Sequence, residues 1–302
     1  MNNLQGWINV YKPLELSSFA VVKKIKKKFN LNKIGHCGTL DPLAEGVLPL
    51  AIGKTTKLIS FINSEIKEYE FQIKWGEQTS TDDSEGEIIS KSNYVPSTLE
   101  LKKQLKYFQG DIWQKPPKAS AVKINGIRAY KLLRASKEFE IKEKKVSLYD
   151  ASLINSDDIQ KPIIKIKCGK GFYIRSFARD LANSLKTKGH VIKLKRTKVG
   201  KFEVKNSNLL DDLLKIGQRL HYFKGFHTSV SMLDDILAYE IVDKKDKICI
   251  SQGKSIRLCK NQLINPSFKK PEEKIIFLKD KGNIVSYGKL NGDLFQPDKV
   301  LI

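Results

Sequence analysis

Apolar and polar residues alternate strictly between positions 67 and 75. The odd positions from 69 onward are Tyr69, Phe71, Ile73 and Trp75, and the even positions are Glu68, Glu70, Gln72 and Lys74. A period of two predicts a β-strand with one buried and one polar face. Tyr69 is therefore expected to point inward with the aromatic residues. Residues 6–11 and 163–167 also predict strands.

Three other segments have the apolar period of an α-helix. The first follows Ser17 or Ser18 as N-cap and has Val21, Val22, Ile25 and Phe29 on one face, with lysines on the other. The second follows the capping box of Ser97 and Glu100. The third begins at Ile174, is expected to stop near Gly189, and has an apolar face of Phe177, Ala178, Leu181 and Leu185.

The C-terminal third of the chain, from about position 206, has a different pattern. Residues 206–235 predict a helical connector with little patterning. After about position 241, short strands are expected at 248–250, 256–258, 275–278, 284–287 and 300–302, separated by turn signals such as Gly253 and Asn291-Gly292. The sequence therefore predicts a large domain over 1–240 and a small, separable β-domain over 241–302.

Charge points to a polyanionic partner. The 302 residues include 55 Lys and Arg against 33 Asp and Glu, a formal net charge of +22. Such an excess favours nucleic-acid binding. A lysine-rich but merely solvated surface is the alternative that charge alone leaves open.

Metal and cofactor signals are weak. The four cysteines, at positions 37, 168, 249 and 259, have neither zinc-ligand spacing nor a disulfide pattern. Gly53-Lys54-Thr55 resembles the end of a P-loop, but Leu48 stands where that loop needs glycine. We expect no metal and no cofactor. Because the N-terminus has no targeting pattern and no segment is long enough to span a bilayer, we expect a cytoplasmic monomer.

A glycine-rich stretch carries the candidate chemistry. It reads Gly35-His36-Cys37-Gly38-Thr39-Leu40-Asp41-Pro42-Leu43-Ala44-Glu45-Gly46, followed by Gly53-Lys54-Thr55-Thr56-Lys57. Its glycines predict tight turns or close backbone approach. Pro42 biases Asp41 away from helical geometry, so the carboxylate is held stiffly, as a nucleophile or general base requires. Asp41-Pro42 alone is more typical of a structural turn.

Taken whole, this stretch resembles the catalytic motif of the TruB family of tRNA pseudouridine synthases. Other segments resemble further motifs of that family: Lys12-Pro13, the Lys67-x-Tyr69 strand, the loop 76–86 and Cys168-x-x-Gly171-x-Tyr173-Ile174-Arg175. Three positions depart from the family pattern. Glu15 and Ser17 replace a glycine and a threonine, and Phe172 stands where threonine is common.

The resemblance implies a fold and a substrate. The fold would be α+β, a pseudouridine synthase catalytic domain with a long mixed or antiparallel sheet flanked by helices. A small C-terminal PUA-like β-barrel would follow it; a plain stabilising β-domain is the alternative. The reaction would be isomerisation of uridine 55 in the T-arm of tRNA, with the target base flipped out of its stack.

The resemblance also implies roles for single residues. Asp41 would be the catalytic carboxylate, Tyr69 would stack on the uracil, and Arg175 would hold Asp41 ionised. The substrate-binding residues would be His36, Lys57, Tyr173, Leu194 and Lys12. Lys57 would meet a phosphate or support Arg175, and His36 would fill the space that the flipped base leaves. Asp83 is expected to hydrogen-bond backbone.

Residues 116–150 correspond to an RNA-gripping thumb insertion of bacterial TruB proteins. Dyskerin-type relatives, which use guide RNAs, are shorter there. The insertion therefore predicts an enzyme that binds the T-arm stem-loop without a guide RNA. Two alternatives are a guide-dependent enzyme and an RNA-folding protein whose catalysis is dispensable.

Overall fold

The computed structural model describes residues 4–217, 220, 225–228, 231–233, 238–241, 243–264, 275–281 and 283–302. Its helices are α1 (Ser18–Lys28), α2 (Ile59–Ser64), α3 (Thr98–Tyr107), α4 (Ala129–Arg134), α5 (Ile174–Ser184), α6 (Leu210–Lys215) and α7 (Lys244–Ser251). Its strands are β1 (Gly6–Lys12), β2 (Ile34–His36), β3 (Ala44–Ile52), β4 (Lys67–Trp75), β5 (Glu77–Thr79), β6 (Ile88–Lys91), β7 (Gly110–Gln114), β8 (Lys123–Ile124), β9 (Ile127–Arg128), β10 (Lys144–Asn155), β11 (Ile163–Cys168), β12 (Gly189–Val199), β13 (Phe202–Glu203), β14 (Asn208–Leu209), β15 (Phe226–His227), β16 (Ala238–Glu240), β17 (Ile256–Arg257), β18 (Ile275–Asp280), β19 (Asn283–Asn291) and β20 (Leu294–Val300).

A long mixed sheet forms the centre of the fold. Over the described ranges its main path runs β14-β1-β3-β12-β4-β11-β10-β7. The pairs β1–β14 and β3–β12 are parallel, and the other neighbours on this path are antiparallel. Helices α3 and α5 pack on one half through Leu101, Leu105 and Phe177, whereas α1 and α6 cover β1 and β3. The expected α+β fold is confirmed.

Strand β4 has the predicted alternation, with its odd positions buried. It lies between β11 and β12, so Tyr69 faces Ile166 on one side and Arg196 on the other. Helix α5 ends at Ser184, earlier than expected, and Gly189 is the first residue of β12. A side chain at Gly189 would crowd the ring of Trp75. That glycine therefore serves strand packing and is not a helix stop.

The thumb segment is shorter than expected. Between β7 and β10 the chain forms the β8–β9 hairpin and the short helix α4. Residues 144–150 belong to β10, which pairs with β7 and β11 in the main sheet. The boundary at 150 is therefore wrong, and the excursion from the sheet covers 115–143.

The C-terminal residues form a second sheet, ordered β16-β18-β19-β20-β17 over the described ranges. It is a curled half-barrel, consistent with a PUA-like domain. Two predicted strands are wrong. Residues 248–250 lie in α7, which Asp243 caps by accepting a hydrogen bond from the Lys245 amide. The last strand, β20, ends at Val300. Short apolar runs do not distinguish strand from helix, which explains the first error.

This half-barrel shares a core with the catalytic region. Phe277, Ile284 and Leu301 belong to the same buried cluster as Trp7, Leu58 and Ile62. The ring of Phe61 also packs edge-on against Phe277, 5.1 Å between centroids. Strand β16 precedes position 241 and pairs with β18. The predicted boundary is therefore late, and the half-barrel is not packed as a separate unit.

The connector is less helical than expected. Its described residues supply helix α6 and two short strands, β14 and β15, which pair with the two halves of the β1 edge opposite β3. Much of 206–235 lies outside the described residues. None of the described helices has the length and apolarity that crossing a membrane requires.

Candidate active site

The loop that carries Asp41 is fixed on both sides of that residue. The Ser18 hydroxyl accepts a hydrogen bond from the Leu40 amide (2.8 Å) and donates one to the Leu40 carbonyl (3.0 Å). On the other side, the carbonyl of Pro42 accepts from the amide of Glu15 at 2.9 Å. The first residue of α1 and the turn before it thereby hold both neighbours of Asp41, which gives the stiff placement that the sequence predicted.

Lys12 is part of this support. Its side chain is fully buried, and Nζ donates to the carbonyl oxygens of Pro13 (2.8 Å), Leu16 (2.6 Å) and Pro42 (3.3 Å). Burial lowers the pKa of Lys12 to about 8, although the charge of Asp41 opposes the decrease. All three N–H groups are thus used within the protein. The structure gives Lys12 a positioning role in place of the substrate contact expected from the sequence.

The backbone at Glu15 has a conformation that is unfavourable for a residue other than glycine. Its φ is 66°, in the left-handed region where glycine is normally found. A non-glycine residue there costs roughly 1–2 kcal/mol. Ser17 replaces the family threonine without loss, because its side chain accepts from the Ala20 amide and caps α1. The turn geometry is kept at both positions.

Arg175 joins three parts of the site. Its side chain is only 6% exposed, and Nη2 lies 2.9 Å from Oδ2 of Asp41. Nη1 lies 3.0 Å from Oδ2 of Asp83. The guanidinium also donates to the carbonyl oxygens of Thr81 and Ala119, both at 3.1 Å. The structure thus brings together Asp41 and Arg175, as the sequence predicted.

Asp83 has a larger role than the sequence indicated. Its Oδ1 accepts from the Glu85 amide at 3.0 Å and from the Thr81 hydroxyl at 2.5 Å, so the expected turn contact is present. Its Oδ2 binds Arg175, a contact that sequence reasoning missed. The two residues are 92 positions apart, and no local pattern reports such a pair.

The Asp41 carboxylate lies at a cavity, with 35% of its side-chain surface exposed there but with protein around most of it. Burial raises the pKa of Asp41 above its ordinary value of 3.8. The charge of Arg175 lowers that pKa in turn, and the charge of Asp83 raises it. Arg175 therefore acts in the direction the sequence predicted, against a larger effect of burial.

A cavity of about 270 Å³ opens beside this pair. Its lining includes Tyr69, Tyr173 and Leu194, three of the predicted substrate-contacting residues. The backbone of Tyr173 is fixed by Gln114, which accepts from its amide at 2.7 Å and donates to its carbonyl at 3.0 Å. The cavity is bounded by stacking surfaces and one carboxylate, a combination that suits a planar base.

Two further cations line the cavity, Lys67 and Arg196. Arg196 lies opposite Tyr69 in the β4–β12 pairing and makes a hydrogen bond with the Tyr69 side chain. Sequence reasoning did not select either cation. The period of two could have done so, because Lys67 shares a face of β4 with Tyr69, and Arg196 lies on β12 two residues after Leu194.

His36 and Lys57 are not among the cavity-lining residues. His36 lies on β2, and burial and the charge of Arg196 lower the pKa of its imidazole. Lys57 Nζ donates to the carbonyl of Val300 at 2.5 Å, at the junction with the C-terminal sheet. The support of Arg175 suggested for Lys57 is therefore wrong. A phosphate contact for Lys57 stays a prediction.

The described residues do not supply a metal site, which needs several ligating side chains close together. Over those ranges, His, Cys, Asp and Glu side chains do not gather in groups of three or more that could hold an ion.

Two solved structures share the fold of this chain. Over 98% of this chain, the fold matches a chain of a Cbf5-Nop10-Gar1 complex with a TM-score of 0.73 and 21% identity, covering 85% of that chain. It matches a chain of an archaeal box H/ACA sRNP Nop10-Cbf5 complex with a TM-score of 0.72 and 20% identity, covering 86% of that chain. Identity this low establishes the fold alone.

Sequence relatives are closer. Residues 26–174 match the sequence pattern described as "TruB family pseudouridylate synthase (N terminal domain)". The chain is 39% identical to tRNA pseudouridine synthase B of Rickettsia bellii over 97% of both chains. It is 38% identical to tRNA pseudouridine synthase B of Caulobacter vibrioides over 86% of this chain and 84% of that one. The protein belongs to the TruB family of pseudouridylate synthases.

Proposed function

We propose that this protein is a tRNA pseudouridine synthase that isomerises uridine 55 in the T-arm. The observation that carries the proposal is the Asp41–Arg175 pair at the cavity, with Tyr69, Tyr173 and Leu194 around it. Relatives of this similarity named tRNA pseudouridine synthase B supply the substrate class.

The reaction breaks the N1–C1′ bond, turns the uracil and joins C5 to C1′. One positioned carboxylate can serve in either of two ways: Asp41 attacks C1′, or it removes the C2′ proton to give a glycal. Both routes need Asp41 ionised. The Arg175 guanidinium stabilises that anion and fixes its direction through the second carboxylate at Asp83.

The cavity walls would hold the flipped base. Tyr69 is mostly buried and offers a ring face for stacking, while Leu194 and Tyr173 close the other sides. His36 lies outside the cavity lining, which fits its proposed place in the space that the base vacates. Burial leaves the imidazole neutral and able to stack.

Affinity for tRNA would come from basic surfaces outside the cavity. The thumb carries exposed cations, namely Lys118, Lys123, Arg128, Lys131, Arg134 and Lys137. Lys57 lies near Lys54, Lys33 and Lys299; burial lowers the pKa of Lys57, and the charges of these three lysines lower it further. Four like charges close together suit a phosphate backbone. Binding should weaken as salt rises, because counterions are released on association.

We propose that no guide RNA takes part. Residues 115–143 form an excursion from the sheet where guide-dependent relatives are expected to be shorter, and Ala119, Ser120 and Ala121 at its base reach the site. A protein that holds its own substrate loop needs no second RNA to present it.

The test is incubation with an unmodified tRNA transcript, followed by pseudouridine mapping. We expect conversion at position 55 only, no conversion when that position is cytidine, and conversion of an isolated T-arm hairpin. Asp41→Asn should abolish conversion while tRNA binding stays nearly intact, because size and most hydrogen bonds are kept. Turnover of this variant within about tenfold of the wild type would contradict the assignment of Asp41.

A further inference from the structure

Arg196 is a buried cation beside the catalytic cavity. It is 1% exposed, and its donors reach the carbonyl oxygens of Val47 (Nε, 2.8 Å) and Gly38 (Nη2, 3.0 Å). Its backbone lies against Gly46, where any side chain would collide with the Arg196 carbonyl. Its remaining side-chain partner is the Tyr69 hydroxyl. Within the described residues, therefore, Arg196 contacts neutral groups only.

Lys67 is a second such cation. It is 8% exposed, and Nζ donates to the carbonyl oxygens of Asn63 (2.9 Å) and Glu65 (2.7 Å), so that the described part of the chain supplies acceptors for two of its three N–H groups. Burial, followed by the charge of Arg196, lowers the pKa of Lys67 to about 8. At neutral pH the ammonium form still predominates. Lys67 and Arg196 both line the cavity.

Two of the nearby carboxylates are already committed, and the charge of a third, Glu65, offsets only part of the lowering of the Lys67 pKa. Asp41 and Asp83 both bind Arg175, so neither neutralises Arg196 or Lys67 by direct contact. A buried charge without a counterion is costly. An anion that occupies the cavity would offset that cost. Because Arg196 and Lys67 are almost fully enclosed, a flat base reaches them more readily than a bulky phosphodiester.

The proposed reaction creates such an anion. When N1–C1′ breaks, its electron pair leaves with the base, and the uracil becomes an anion with charge on N1, O2 and O4. The sugar carbon is left electron-poor and either bonds to the Asp41 carboxylate or gains a double bond as C2′ loses a proton to Asp41. Electrons and protons balance on both routes.

We infer that Arg196 and Lys67 form a cationic floor that stabilises the uracil anion as the glycosidic bond breaks. Preorganised charge aimed at developing charge is the largest contribution in many enzymes. Tyr69 joins the same arrangement. A guanidinium can only donate hydrogen bonds, so the Tyr69 oxygen accepts from Arg196 and its own proton is free to point at the base. This inference rests on the proposed function.

The test compares leaving groups. Fluorine at C5 withdraws electrons and stabilises the uracil anion, so a tRNA with 5-fluorouridine at position 55 needs less help from the protein. For Lys67→Met and Arg196→Met we expect the single-turnover rate of N1–C1′ cleavage to fall about 100-fold with uridine, as for other preorganised donors. With 5-fluorouridine the decrease in rate should be smaller by a factor of at least about ten. The dissociation constant of tRNA should stay nearly unchanged.

Control variants separate charge from structure. Arg196→Lys should recover much of the rate, because the charge remains. Lys74→Met is the second control. Lys74 lies on the same strand as Lys67 but on the polar face, and its Nζ pairs with Glu77 at 2.6 Å. This variant should change the cleavage rate with neither uridine nor 5-fluorouridine. If Arg196→Met does not fold, Lys67→Met decides alone.

Two outcomes would overturn the inference. One is an equal loss of rate on both substrates, which is what a purely structural role gives. The other is a weaker dissociation constant with an unchanged rate at saturation, which would mean that these cations bind phosphate. If wild-type protein converts neither substrate, the proposed function itself fails.

The pH dependence gives a second readout. The charged and titratable groups around Lys67 are Arg196 on β12, Cys168 on β11, Cys37 after β2, Glu65 after α2 and Asp41 and Tyr69 at the cavity. The ammonium form is required, so the wild-type rate should fall as pH rises through about 8. Lys67→Arg should move this decrease to higher pH. The pKa of Lys12 is also about 8, and Lys12 is present in both proteins, so the comparison is between the two profiles. A Lys67→Arg profile identical to that of the wild type would count against the inference.

Discussion

The Nη1 atom of Arg175 lies 3.0 Å from Oδ2 of Asp83, while Nη2 of the same guanidinium contacts Asp41. Asp83 is 2% exposed in its side chain and is fixed in turn by Thr81 and Glu85. The direction of the Asp41–Arg175 pair is therefore set by a loop that does not itself line the cavity.

Asp83→Asn should lower the rate at saturating tRNA by about 10- to 100-fold, because Arg175 loses the charge that orients it. Binding of tRNA should change little. The measurement is a single-turnover assay together with a binding titration.

The matched control is Asp82→Asn. Asp82 is the neighbouring buried carboxylate, but it pairs with Arg179 at 2.8 Å, away from Asp41. Its φ of 60° is one that asparagine tolerates. Both variants should lose stability, on the order of 2 kcal/mol, and only Asp83→Asn should lose rate. Equal rates in the two variants would show that Asp83 is merely structural.

The decrease in reaction rate at low pH should reflect the protonation of Asp41. The reaction needs the carboxylate ionised, and burial raises its pKa above 3.8, so the rate should fall as pH decreases through a value above that. Arg175 lowers this pKa, and Arg175→Gln should therefore shift the decrease to higher pH. Single-turnover rates across pH check this. A decrease that stays in place in Arg175→Gln would argue against ionisation control by Arg175.

Variants of Tyr69 should separate stacking from the hydroxyl. Tyr69→Leu should lose most activity with the fold kept, because bulk is largely replaced but the ring face is not. Tyr69→Phe keeps the ring and removes the oxygen that accepts from Arg196. Rates at saturating tRNA are compared. Full activity in Tyr69→Phe would leave stacking as the only role of this residue.

A core substitution at the junction with the half-barrel should destabilise the whole protein. Phe277 is buried in the core shared with Trp7 and Leu58, so Phe277→Ala should lower the free energy of unfolding by about 3–5 kcal/mol and shift the whole melting transition. Phe295→Ala is the control, because Phe295 is buried in the half-barrel's own core. A catalytic region that melts at the same temperature in both variants would contradict a shared core.

A deletion should behave in the same way. A chain that ends before Ala238 would expose the apolar groups that now face Phe277 and Leu301. We expect lower stability in addition to weaker tRNA binding, about tenfold for each 1.4 kcal/mol of lost contact. Single-turnover rate and dissociation constant at low temperature distinguish the two losses. A truncated protein that stays folded but is inactive at saturating tRNA would show that the half-barrel builds part of the site.

Local pattern was enough for most of the catalytic region. The alternation of 67–75 gave β4 and the inward direction of Tyr69, the capping box gave α3, and the motif around Asp41 gave the family and the reaction. These features depend on neighbours in the chain: strand period, cap hydrogen bonds and the stiffness of Asp41-Pro42. The amino-acid sequence by itself therefore identified the candidate for the catalytic carboxylate and determined the main secondary structure.

Contacts between distant segments were decided only by the tertiary structure. Asp83 reaches Arg175 across 92 positions, Lys12 reaches Pro42 across 30, and Lys57 reaches Val300 across 243. A charged side chain binds whatever group the fold places within hydrogen-bond distance, and sequence spacing does not encode that placement. For the same physical reason the roles of Lys12, Lys57, Asp83 and Arg196 became visible only once the strands were paired and the loops were packed.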